Sequence, residues 1–62
     1  MLGEHVRNIR KNRGITLKEL AEKTGLSIGY ISQIERNLTD PSLSTLRKLS
    51  AALDIPTYLF MG

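Results

Sequence analysis

The sequence predicts one all-α domain of five short helices, with helices 2 and 3 arranged as a helix-turn-helix. Three observations predict it. Apolar residues recur at three- and four-residue spacing, and no stretch alternates apolar with polar over the length of a strand. Thr16, Ser27 and Ser42 stand just ahead of periodic runs, where a side-chain oxygen caps a helix. Gly14, Gly25 and Asn37 follow such runs, where left-handed backbone ends a helix.

In helix 1, Leu2, Val6 and Ile9 fall on one face, while Arg7, Lys11 and Arg13 lie mainly off it. Gly14 stops this helix. Thr16 followed by Glu19 is a capping box and starts helix 2, whose Leu20 and Ala21 face inward. Gly25 permits the sharp turn that follows. Ser27 caps helix 3, whose buried side carries Ile31 and Ile34, and Asn37 ends it. Residues 37–41 form a loop. Ser42 then caps helix 4, with Leu43, Leu46, Leu49 and Leu53 along one face. Asp54-Ile55-Pro56 breaks the chain, and Thr57 caps a last short helix with Leu59 inward. Two short helices about Gly25 have the layout that puts the second helix into the DNA major groove.

Size and composition narrow the function classes. Sixty-two residues suffice for one small domain, spanning 1–62, with a compact core. No repeat, low-complexity tract or linker interrupts it. Without cysteine there is no disulfide framework or thiolate metal site, which suits a reducing, cytoplasmic setting. No apolar run could span a membrane, and no signal-peptide pattern precedes helix 1. Nine Lys/Arg against six Asp/Glu give a formal charge of +3, a balance that favours a polyanionic partner. No catalytic, metal or cofactor site is expected. His5 is the single histidine and sits on the outer side of helix 1, the serines have no base beside them, and the carboxylates are scattered. RNA recognition lacks a stacking platform, since the aromatics are Tyr30, Tyr58 and Phe60 alone. The rival is a helix-turn-helix adapted to bind another protein. It should carry large apolar or acidic groups on the outer face of helix 3. That face holds Ser, Gly, Ser and Gln beside Arg36, which favours DNA.

Several residues together carry a family resemblance. They are Ile9-Arg10 ending helix 1, Leu20-Ala21 with Gly25 beyond, Ile31 and Ile34, Glu35 with a turn residue two later, Pro41-Ser42, and Leu46 through Leu53 before Ile55. From Gly3 to Leu59 the chain resembles the lambda-repressor-like, or XRE-family, DNA-binding domains of bacterial and phage regulators. The segments ELAEKTGLS and YISQIERNLTDPS are close to the SinR-like branch of that family. The resemblance implies a compact five-helix domain serving a transcriptional regulator, with repression the expected role. Leu17 replaces the glutamine that many members carry as a phosphate contact. Asn37 replaces a frequent glycine and is a permitted residue for left-handed backbone.

In this motif the exposed N-terminal residues of the second helix meet base edges. Here they are Ser27, Ile28, Gly29, Tyr30, Ser32 and Gln33. The Gln33 amide both donates and accepts, which suits adenine N6/N7. Ser32 is a less selective partner, Ile28 suits a thymine methyl, Gly29 leaves room for close approach, and Tyr30 reaches a phosphate or sugar. The plainer alternative for Ile28 and Tyr30 is packing of the helix ends. Phosphate contacts are expected from Thr16 and the N–H groups opening helix 2, and from Lys18, Arg36, Asn37, Ser42 and Ser44. Lys23, Arg47 and Lys48 are assigned to the solvated surface. The resemblance further implies an ion pair between Arg10 and Glu35, a structural clamp between helices 1 and 3. The expected partner is a palindromic double-stranded DNA operator. It would be bound by a homodimer formed on DNA or through a region outside these residues. Within the chain, the C-terminal Tyr58, Phe60 and Met61 are the expected self-contact, since they cannot all face the core.

Overall fold

The computed structural model describes residues 2–60 and contains four α-helices: α1 (Leu2–Asn12), α2 (Leu17–Thr24), α3 (Ile28–Glu35) and α4 (Leu43–Leu53). A single 3-10 turn, Thr57–Phe60, stands where a fifth helix was expected. The reason is local. Asp54 turns left-handed, Pro56 cannot continue a helix, and the remaining segment closes with the Leu59 N–H on the Pro56 carbonyl, 3.2 Å away. Thr57 lies inside this turn rather than capping it. Its hydroxyl shares a 2.8 Å hydrogen bond with that of Ser50 on α4.

Local chemistry sets the helix ends. The Thr16 hydroxyl accepts from the Glu19 N–H, and the Glu19 carboxylate accepts from the Thr16 N–H, both at 3.1 Å. Ser27 and Ser42 accept the N–H groups of Tyr30 and Thr45. At the other ends, Gly14, Asn37 and Asp54 take positive φ of 69°, 58° and 58°. Each closes a paired set of bonds back onto its helix, so Arg10, Gln33 and Ser50 find partners for their last carbonyls in Ile15, Leu38 and Ile55.

Val6, Leu20, Ile31, Ile34, Leu49 and Leu53 are fully buried in one cluster shared by all four helices. Each contributes about 1.5–3 kcal/mol by leaving water. Two expected core positions differ. Leu43, in the first turn of α4, is 45% exposed. Leu59 is 40% exposed and Phe60 takes its place at 6%, because a 3-10 turn advances each side chain by 120° rather than 100°. Phe60 is therefore core rather than self-contact surface, while Tyr58 stays exposed and Met61 lies outside the described residues. His5 is outward-facing, yet its ring meets the edge of Phe60 at 6.0 Å and 87°.

One contact had no forerunner in the periodicity. Gly3 is buried where the start of α1 crosses the end of α3. Its N–H donates to Asn37 Oδ1 at 3.0 Å. Asn37 thus ends α3 through its backbone and caps α1 through its side chain.

Candidate nucleic-acid interface

α3 is held by three buried side chains. Ile31 and Ile34 enter the core, and Glu35 turns toward α1. Arg10 Nε and Nη2 donate to the two Glu35 oxygens at 2.7 and 3.0 Å, and Arg10 Nη1 donates to the Ile15 carbonyl at 2.9 Å. This fork joins α1, the α1–α2 connection and the last turn of α3. Its burial makes it a clamp and keeps it from the solvent-facing set.

The opposite face of α3 is open. Ile28, Gly29, Gln33 and Arg36 are exposed, Ser27 is exposed at the cap, and Ser32 is half-buried. A Cβ on Gly29 would meet nothing, so that face has room for close approach. Tyr30 is half-buried and packs against the core.

The other expected contacts divide by how far their polar atoms are already engaged. Lys18 and Ser44 are exposed in the first turns of α2 and α4. Thr16 has its N–H and its hydroxyl oxygen in the capping box. The Thr16 N–H, and then its hydroxyl, hold the exposed Glu19 carboxyl below the usual carboxylate range. A carboxylate therefore occupies part of this helix end, and the N–H groups of Leu17 and Lys18 are the ones left pointing out. Ser42 donates to Thr45 Oγ1 at 3.0 Å while accepting the Thr45 N–H, so its hydroxyl has no proton to spare. Asn37 gives its oxygen to Gly3 and keeps its NH2 group.

Ser32 and Arg36 share a cleft of about 210 Å³ with Arg7, Arg10, Leu17 and Glu35. Arg7 was legible only as a charge off the apolar stripe of α1. That it lines one cleft with Arg36 depends on how α1 crosses α3.

The sequence pattern of the helix-turn-helix family HTH_3, the XRE-type group, matches residues 6–60. The chain belongs to this family. Among HTH_3 relatives, it is 45% identical over 62 residues to the HTH-type transcriptional regulator SinR of Bacillus subtilis, covering 98% of this chain and 56% of that protein. The chain thus spans little more than half the length of that relative. A solved structure of SinR, described as the master regulator for biofilm formation in complex with DNA, superposes with a TM-score of 0.93 at 44% identity and covers 100% of both chains. The P22 c2 repressor, solved with a synthetic operator, superposes with a TM-score of 0.89 at 35% identity, covering 97% of this chain and 91% of that one.

Proposed function

We propose that this chain is the DNA-binding domain of a bacterial or phage transcriptional regulator, acting as a repressor with α3 in the major groove of double-stranded DNA. The observation that carries the reading is the outer face of α3. It presents Gly29 and Gln33 beside an exposed Ile28, with Arg36 exposed at its end and Lys18 exposed in the first turn of α2. Near full-length likeness to a DNA-bound master regulator and a repressor solved with a synthetic operator supports it. Selection of bound duplexes from a random pool tests it directly, and recovery of no preferred sequence would sink it.

Within that reading, Gln33 reads a base and Arg36 grips phosphate. Gln33→Ala is expected to cost on the order of 1–3 kcal/mol at one base pair and to relax preference there. Arg36→Ala should weaken selected and scrambled duplexes alike. If Gln33→Ala leaves the preference intact, the register assigned to α3 is wrong.

One α3 covers only a few base pairs, so the operator is expected to be palindromic, with two domains about 34 Å apart. With Phe60 in the core, Tyr58 and Leu59 leave little apolar surface for pairing. The free domain should sediment as a monomer at micromolar concentration and pair on the operator. A dimer without DNA would contradict this.

A further inference from the structure

Arg7 lies one helical turn before Arg10, so both point to the same flank of α1. The cleft there draws on three helices: Arg7 from α1, Leu17 from the start of α2, and Ser32 and Arg36 from α3. Its floor is the Arg10–Glu35 pair, in which both carboxylate oxygens are already taken. The charge of Glu35 is thereby cancelled. Arg7 and Arg36 remain as two exposed cations, and neither forms an ion pair among the described residues. Arg7 and Arg36 line the same small cleft, and two uncompensated guanidinium groups on one cleft repel each other unless an anion lies between them. Each presents a planar fork of donors matched to a phosphate, and Ser32 adds a neutral hydroxyl. The cleft borders the outer face of α3, where a duplex backbone would pass.

We propose that Arg7 and Arg36 together clamp one backbone phosphate of the bound duplex. α1 then contributes directly to DNA binding as well as supporting α3. The inference rests on the DNA-binding reading above and adds Arg7 to it. A contact of this kind sets register and orientation without reading sequence.

The test compares the parent domain with Arg7→Gln, Arg36→Gln and the double variant. Each single variant should melt with the parent, since both side chains are exposed. Affinity is measured for a pool-selected duplex and a scrambled one between about 50 and 200 mM salt. Arg7→Gln should weaken both duplexes by the same factor and lower the slope of log affinity against log salt by roughly one. Ethylation of a single phosphate should impair the parent but not either single variant, and the phosphate should be the same for both. The clamp is overturned if Arg7→Gln keeps the parental affinity and slope, if it shifts base preference, or if the two variants lose different phosphates. A parent that binds no duplex would overturn the DNA-binding reading itself. A parent that binds while Arg7→Gln changes nothing overturns the clamp alone.

Discussion

Arg10→Ala is expected to destabilise the domain by about 3–5 kcal/mol, the usual result of stranding one partner of a buried ion pair. Arg10 is 8% exposed and Glu35 6%. Three hydrogen bonds end on the one guanidinium, so its removal leaves a buried carboxylate and the Ile15 carbonyl without their partners. A small domain has little more than that to lose. The pair need not be worth as much as its breakage costs, because desolvating two charges offsets most of their attraction. Replacing both partners together, as Arg10→Met with Glu35→Leu, should therefore recover much of the loss. Chemical denaturation of the three variants distinguishes these cases. An Arg10→Ala unfolding free energy within a few tenths of a kcal/mol of the parent's would show that water reaches the pair and screens it.

Gly3→Ala is the second large effect expected, and its direction opposes intrinsic helix preference. Alanine gains roughly 0.5–1 kcal/mol over glycine within a helix. A Cβ at position 3, however, would approach the Ile34 and Glu35 carbonyl oxygens and Asn37 Oδ1 to 2.3, 2.7 and 2.8 Å. Two of those atoms are backbone at the end of α3 and cannot swing aside. Relief requires α1 to lift from α3, which breaks the Gly3–Asn37 hydrogen bond and strains the Arg10–Glu35 fork. The net loss should reach the upper end of the roughly 1–3 kcal/mol typical of overpacking. Thermal melting measures it. Weakened binding should accompany it, because the displaced element is the helix assigned to the groove. A Gly3→Ala domain that melts higher than its parent would show that the start of α1 frays freely from α3.

The helices and their ends were legible in the sequence because their causes act over a few residues. Thr16 with Glu19, Ser27 and Ser42 satisfy N–H groups three positions away, and Gly14, Gly25 and Asn37 relieve a steric conflict within one residue. Helical spacing likewise marked Val6, Leu20, Ile31, Ile34, Leu49 and Leu53 for the core, and the family for Arg10 and Glu35. The outer positions of α3 followed from the same spacing, since residues that do not face Ile31 and Ile34 must face away. What only the tertiary structure decided involves elements that cross. Which residue of the last turn enters the core, Phe60 rather than Leu59, depends on how that turn packs against α4 and α1. Leu43 shares the helical spacing of Leu46, Leu49 and Leu53 yet stays exposed. Gly3 is required by backbone oxygens 31 and 32 positions along the chain, and Arg7 and Arg36 come to line one cleft only through the crossing of α1 and α3. No periodicity within one helix encodes the angle at which two helices meet. That angle comes from how the whole set of side chains packs.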